Sequence, residues 1–154
     1  MKKKNKLLVI RQLDRKLKEL DLLQRVSLPD DGWIKAIRKA LGMSQRQLGE
    51  KIGITPQSVR ELEQREKEGT ITLNTLKQAG IALDMQLIYS FVLPNGTLEN
   101  RIEERAYAMA SKIIGRTSNT MRLEDQENTD NRIKAAIDEM MEDLKRDLPG
   151  KLWD

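Results

Sequence analysis

The chain has 154 residues, of which 38% are hydrophobic, 34% are charged and only 3% are aromatic. It contains no cysteine and no histidine, which excludes disulfides, zinc-finger sites and catalytic triads built on histidine. No apolar run approaches the roughly 18 residues of a membrane span, and the stretch 7–10 is too short for the apolar region of a signal peptide. We therefore expect a cytoplasmic protein with a small core, exposed helices and no bound cofactor or metal.

Positive charge is concentrated in the first half of the chain. Residues 1–25 carry nine basic and three acidic groups, and residues 32–67 carry eight basic and four acidic groups. Residues 98–154 reverse the balance, with ten basic and thirteen acidic groups. A polyanion would be attracted to the first two segments, although a solvated basic surface without a partner has the same composition.

Before the central motif, apolar periodicity predicts two helices. Over residues 6–24 the apolar positions recur at three- and four-residue steps: Ile10, Leu13, Leu17 and Leu20. The stretch 27–32 has the composition of a loop. Residues 33–41 then form a second helix, with Ile34, Ile37 and Leu41 on one side.

The central motif is the segment 44–63. Ser44 and Gln47 have the spacing of a capping box, and Gly53 suits the tight turn that ends the first helix at about residue 52. Thr55 followed by Pro56 starts a second helix that runs to about residue 66. Two short amphipathic helices joined by a glycine turn indicate a helix-turn-helix.

After the motif, the pattern changes twice. Thr72 or Asn74 caps a further helix, and alternating side chains over 85–93 then predict one β-strand that stops at Pro94. A lone strand needs a partner. We expect it to pair with a second copy across a two-fold axis, the alternative being residues 69–73 of the same chain.

Two helices, 97–116 and 130–148, are predicted beyond the strand, separated by a polar stretch over 117–129. Residues 121–148 carry a net charge of −4, which favours either a protein partner or packing against the rest of the chain. The predicted fold is therefore mainly α. Its expected divisions are 1–30, a basic helix and loop; 31–84, the helix-turn-helix domain; 85–96, strand and turn; and 97–154, a helical extension.

The motif resembles the lambdoid repressor/Cro-like, or XRE, family of helix-turn-helix proteins. The agreement covers apolar Leu48, Ile52, Ile54, Val59 and Leu62 together with Gly49 and Gly53. The resemblance extends over roughly 33–84 and implies a five-helix unit whose third helix enters the major groove. Two positions depart from the family: Pro56 replaces a polar residue that often contacts a base, and Gly49 replaces the commoner alanine.

The resemblance implies a role for each site residue. Gln45 contacts a phosphate and buttresses the recognition helix, while Gln57 and Ser58 approach base edges and phosphate; a glutamine amide can bind adenine bidentately. Arg60 reaches guanine or phosphate, and Glu61 accepts from cytosine, orients Arg60 or faces solvent. Arg38 and Glu63 form a buried structural ion pair. The implied DNA-binding set is Gln45, Arg46, Thr55, Gln57, Ser58, Arg60, Glu61, Lys35 and Lys39, with Lys51 and the lysines of 2–6 as further phosphate contacts.

A narrower resemblance covers about residues 8–110. The stretches RQLDRKLKEL, GWIKAIRKALGMSQRQL and EGTITLNTLKQAGIALDMQLIYSFV are similar to the mobile mystery protein A family. Proteins of that family are repressor-like and typically encoded beside a Fic-domain protein, which implies an antitoxin-like role. An inhibitory motif of some Fic inhibitors resembles Thr120–Glu124 but departs from it at Asp125.

We therefore expect a homodimeric, sequence-specific DNA-binding repressor that reads an inverted repeat in the bacterial nucleoid. The alternative is an antitoxin-like protein that neutralises a Fic-domain partner and regulates its own promoter. Carboxylates occur together at Glu124, Asp125 and Glu127 and at Glu142–Asp143. With no histidine, cysteine or glycine-rich phosphate loop beside them, we interpret them as solvated charge and expect no enzyme activity.

Overall fold

The computed structural model describes residues 4–118 and 126–154. Within them are seven α-helices and two short 3₁₀ turns, at Asp21–Arg25 and Gly150–Trp153. The helices are α1 (Lys4–Glu19), α2 (Trp33–Ala40), α3 (Gln45–Ile52), α4 (Pro56–Glu68), α5 (Leu73–Ala82), α6 (Leu98–Ser118) and α7 (Gln126–Asp147). They fall into two compact units: residues 25–90, and residues up to 24 together with residues 91–154. The prediction of a mainly helical fold is confirmed.

Helix α3 has the bounds that the sequence predicts, and α4 begins as predicted but ends at Glu68 rather than at about residue 66. The Ser44 hydroxyl accepts from the Gln47 N–H at 3.2 Å, and the Gln47 side chain accepts from the Ser44 N–H at 2.8 Å, which completes the capping box. Gly53 ends α3 in the left-handed conformation with φ 85°, where glycine avoids the steric cost of a side chain. The Thr55 hydroxyl accepts from the Ser58 N–H at 3.1 Å and starts α4. Hydrogen bonds and backbone conformation of neighbouring residues therefore fix both ends of α3 and the start of α4.

The core of this unit is small and lies where α2, α3, α4 and α5 meet. Its buried members come from all four helices and from the residue that follows α5: Ile34, Leu48, Val59, Leu62, Ala79 and Leu83. Ile52 and Ile54 are partly buried and pack against it. The predicted apolar faces of α3 and α4 are therefore confirmed as the faces that hold the two helices together.

Gly49 permits the close crossing of α3 and the start of α4. A Cβ placed on Gly49 would lie 2.6 Å from the Ile54 carbonyl oxygen and 3.4 Å from Val59 Cγ2. The backbone oxygen cannot rotate away, so the two segments would have to move apart. The glycine that stands in place of the family's commoner alanine is thus explained by steric fit.

We expect Gly49→Ala to lower the free energy of unfolding by about 1 kcal/mol or more, because the cost of overpacking exceeds the gain in helix propensity. Chemical denaturation measures the change. Gly115→Ala in α6 is the matched control, since a Cβ there meets nothing within 4 Å, and it should raise the stability by about 0.5–1 kcal/mol. Equal stabilisation by both substitutions would contradict this account.

The second unit consists of α1, α6 and α7 with the C-terminal turn. Lys145 Nζ lies 3.8 Å from Glu103 Oε1, so the end of α7 lies beside the start of α6 and the two helices run antiparallel. Ile102, Ala106 and Ala110 of α6 are buried. The carboxylate of Asp14 on α1 accepts from the Leu98 N–H at 2.7 Å and the Glu99 N–H at 3.3 Å. The first turn of α6 is therefore capped by a residue distant in sequence.

Three sequence expectations differ from the structure. The segment 85–93 forms no strand, and in-chain pairing with 69–73 is wrong because the N–H groups of Thr70 and Ile71 donate to the Arg65 carbonyl at the end of α4. The range 33–84 contains four helices rather than five. The first helix ends at Glu19 rather than residue 24, where the chain changes to a 3₁₀ turn.

The central part of the polar stretch 117–129, which includes Thr120–Glu124, lies outside the described residues. Among the helices that the structure describes, none combines the length and apolar character required to cross a membrane.

Candidate nucleic-acid interface

Helix α4 has one buried side and one exposed side. Val59, Leu62 and Glu63 are buried, whereas Gln57, Arg60 and Glu61 are exposed. The Gln57 amide nitrogen lies 3.5 Å from Glu61 Oε1, so the two side chains are neighbours one turn apart. Because α4 begins at a fixed cap and is held by the core, it presents these polar groups on a rigid element.

The predicted residues at the start of α4 have a second role. The hydroxyls of Thr55 and Ser58 lie 2.9 Å apart, and Ser58 is half-buried. The Thr55 hydroxyl therefore caps the helix, and the Ser58 hydroxyl is its hydrogen-bond neighbour. Their predicted contacts with bases and phosphate remain predictions.

A buried ion pair lies behind the exposed side of α4. The Arg38 guanidinium on α2 donates to both carboxylate oxygens of Glu63, from Nε to Oε1 and from Nη2 to Oε2 at 3.1 Å. Arg38 also donates to the Met43 carbonyl at 2.8 Å. The side chains of Arg38 and Glu63 are only 9% and 4% exposed. The bidentate pair thus joins α2 to α4 in a place that water does not reach.

Gln45 adds a third helix to this arrangement. Its amide nitrogen donates to Glu63 Oε2 at 3.1 Å, so α3 is tied to the same carboxylate. The geometry agrees with a buttressing role for Gln45. The phosphate contact predicted for this residue remains a prediction.

The predicted phosphate-binding cations differ in their surroundings. Lys39 and Lys51 are exposed. Lys35 Nζ lies 3.0 Å from Asp31, and Arg46 pairs with Glu50 one turn along α3. Of the lysines of 2–6, Lys2 and Lys3 lie outside the described residues, and Lys6 donates to the Asp147 carbonyl at 3.1 Å within the other unit. Lys39, Lys51 and Arg46 are therefore exposed cations of the helix-turn-helix unit, whereas Lys35 is half-buried.

Asp31 is held in its charged form by two lysines. A hydrogen bond from Lys67 at 2.9 Å, reinforced by Lys35, lowers the pKa of Asp31 from 3.8 to about 2. Since folding lowers this pKa, the contribution of the carboxylate to stability is present above pH 3.8 and is lost as the pH falls through about 2.

We expect an NMR titration of the Asp31 carboxyl carbon to have its midpoint near pH 2. Lys67→Met removes the main hydrogen-bond donor and should move the midpoint up towards the ordinary value for aspartate. The same midpoint in the variant and in the native protein would show that Lys67 does not determine the pKa.

Glu66 is a structural residue that sequence reasoning missed. Its two carboxylate oxygens accept from the N–H groups of Trp33 and Ile34, each at 2.9 Å, and so cap the start of α2 from α4. Gly32 occupies the N-cap position and has no side chain to do so. A predicted helix with no polar N-cap residue is the signal that a distant acidic side chain should be sought.

A comparison with protein families agrees with this geometry. A family model described as helix-turn-helix matches residues 34–89. No curated protein and no solved structure matches the chain. The matched family is one of DNA-binding regulatory domains. The described residues contain no cluster of three acidic, histidine or cysteine side chains that could hold a metal ion. The match at residues 34–89 supports a resemblance of this segment to helix-turn-helix domains of the XRE type.

Proposed function

We propose that the protein is a sequence-specific transcriptional repressor that binds DNA as a homodimer. The observation that carries the proposal is the two-sided character of α4. Gln57, Arg60 and Glu61 face solvent on a helix whose opposite side is fixed by the buried pair of Arg38 and Glu63. A rigid helix with amide and guanidinium groups on its exposed side fits the major groove, where each base pair offers a distinct pattern of donors and acceptors.

We propose a homodimer because a single recognition helix contacts too few base pairs to read a whole operator. One recognition helix contacts only a half-site, and two helices about 34 Å apart read an inverted repeat. Exposed Lys39 and Lys51 would add salt-dependent affinity through phosphate contacts. Binding at a promoter in this arrangement blocks transcription by occupancy, which is the basis of the proposed repression.

Selection of bound duplexes from a random library tests this proposal. We expect recovery of an inverted repeat whose half-site centres lie about 10 base pairs apart or a multiple of that distance. A reporter gene placed behind the selected site should be repressed when the protein is expressed. Recovery of no common sequence would contradict the proposal.

A second candidate is an antitoxin-like protein that binds a Fic-domain partner. The observation that favours it is the separate compact unit of α1, α6 and α7, which lies outside the segment matched by the helix-turn-helix family. This unit has buried residues of its own and exposes Tyr107 on α6. It therefore provides a surface that reading DNA does not require.

Co-expression with the product of the adjacent gene tests the second candidate. We expect a stable complex with the full chain and a weaker one with Tyr107→Asp, while Arg60→Ala should leave the complex unchanged. The candidate is wrong if no complex forms, or if Arg60→Ala weakens it as much as Tyr107→Asp does.

A further inference from the structure

A row of cations runs along the exposed side of α6. All four basic residues of the helix belong to it, and we refer to them as the α6 stripe: Arg101, Arg105, Lys112 and Arg116. At about 100° per residue they lie within about 60° of one another round the helix, and they extend over about 22 Å of its length. All four side chains are exposed. Ala108 is also exposed and lies between the two halves of the stripe, so no large side chain interrupts it.

The cations of the α6 stripe have no acidic partner. No carboxylate among the described residues lies within ion-pair distance of any of them. Two acidic residues of α6 are instead paired with other helices, since Glu99 lies 3.2 Å from Arg11 and Glu103 lies 3.8 Å from Lys145. Both are more than about 120° round the helix from the centre of the stripe. Helix α6 thus uses acidic residues for contacts within the unit and leaves its basic residues free on the other side.

This arrangement opposes the stability of the helix. The stripe consists of two pairs of like charges, each four residues apart: Arg101 with Arg105, and Lys112 with Arg116. Like charges at that spacing destabilise a helix. Arg101 is also the fourth residue of α6, near the end where the helix dipole disfavours a positive charge. An anion bound along the stripe would relieve both effects, so the cations indicate a ligand rather than a structural role.

The composition of the stripe favours nucleic acid over a protein as the ligand. The core of a protein–protein interface is depleted of charged residues and enriched in aromatic ones, whereas the stripe contains four charges and no aromatic residue. The large apolar side chains that α6 exposes, Tyr107 and Ile113, lie about 150° and about 90° round the helix from its centre. Duplex DNA carries one phosphate per strand about every 3.4 Å of its axis, so a row of 22 Å corresponds to about six phosphates.

We propose that the α6 stripe binds the phosphate backbone of duplex DNA. The contact adds affinity but does not distinguish one base sequence from another, because phosphates carry no sequence information. The inference rests on the proposed function, since it adds a second contact to a protein that reads bases with α4. Because α4 and the stripe belong to one chain, binding through either of them raises the effective concentration of DNA at the other.

Three double variants of the full chain test the proposal. Two of them remove half of the stripe each: Arg101→Gln with Arg105→Gln, and Lys112→Gln with Arg116→Gln. The matched control is Arg132→Gln with Lys134→Gln, which removes two exposed cations from different sides of α7 and makes the same change in net charge. Glutamine has nearly the helix propensity of arginine and lysine, so circular dichroism should show that all three variants are folded.

Fluorescence anisotropy with a duplex of unrelated sequence, over a series of salt concentrations, measures the contribution of the stripe. Each stripe variant should bind about tenfold or more weakly than the native protein at low salt, and the slope of log affinity against log salt should fall by about 2, because two phosphate contacts are lost. The control should stay within about twofold of the native affinity. The preference for the selected operator over the unrelated duplex should change by less than about threefold in every variant.

Three results would overturn the inference. Stripe variants might bind DNA with the affinity and salt dependence of the native protein, which would show a solvated surface only. A loss in the control equal to that in the stripe variants would assign the effect to net charge rather than to the stripe. Stripe variants that bind DNA normally but no longer bind the product of the adjacent gene would show that the ligand is an acidic protein.

The outcome is separable from that of the proposed function. A native protein that selects no DNA sequence, but whose binding to duplexes depends on the stripe, would contradict the repressor and leave the α6 stripe as a DNA contact. A protein that selects an inverted repeat without any contribution from the stripe would contradict only the inference made here.

Discussion

Arg38→Ala is expected to lower the free energy of unfolding of the helix-turn-helix unit by about 3–5 kcal/mol. The substitution leaves the Glu63 carboxylate, only 4% exposed, without its bidentate partner, and the Met43 carbonyl loses its hydrogen bond. A buried, unpaired charge costs far more than the lost attraction. Total stabilities of small domains are about 5–15 kcal/mol, so the unit should lose much of its stability. Urea denaturation followed by tryptophan fluorescence, in a background in which Trp153 is replaced by Phe so that only Trp33 reports, measures the loss.

Two further variants show whether burial is the cause. Arg46→Ala removes an exposed pair with Glu50 and should change the stability by less than about 1 kcal/mol. Arg38→Met combined with Glu63→Leu removes both charges, and should recover a large part of what Arg38→Ala loses. If Arg38→Ala costs no more than Arg46→Ala, the pair is not a structural anchor.

Gln57→Ala and Arg60→Ala are each expected to weaken binding to the selected operator by about 1–3 kcal/mol, or roughly 5- to 150-fold. Both side chains are exposed on α4 and take no part in the core. The loss should therefore fall on binding and leave the stability within about 0.5 kcal/mol. Fluorescence anisotropy at one fixed salt concentration measures the affinity.

Lys51→Ala is the control for a phosphate contact, which positions the protein on DNA but does not distinguish one base sequence from another. Lys51 is exposed at the end of α3. Its loss should weaken binding to operator and to unrelated duplexes by similar factors and reduce the salt dependence. Gln57→Ala should instead reduce the preference for the operator. If the Gln57 and Lys51 variants behave alike, α4 does not read bases.

The sequence predicted those parts of the fold that depend on neighbouring residues. Ser44 with Gln47, the glycine at 53 and Thr55 before Pro56 act within one helical turn, so both ends of α3 and the start of α4 could be placed correctly from their chemistry. The apolar faces of the two helices were also predicted correctly, since Leu48 and Val59 are fully buried. The pairing of Arg38 with Glu63 was expected from the family resemblance rather than from spacing.

Contacts between distant residues were not predictable in this way. Asp14 caps α6 and Glu66 caps α2, and both caps depend on how helices pack in three dimensions. The alternation over 85–93 predicted a strand, but the segment forms none. An alternating pattern of side chains cannot by itself supply the hydrogen-bonded neighbour that a strand needs. In the chain, Gly80 instead holds the start of that segment against α5.

The most direct test of the central proposal is the ratio of two affinities. Binding of the native full chain to its selected operator and to a scrambled duplex of the same composition is measured at one salt concentration. A sequence-specific regulator should prefer the operator by about a thousandfold or more, and Gln57→Ala should reduce that ratio. A ratio near one for the native protein would contradict base reading by α4.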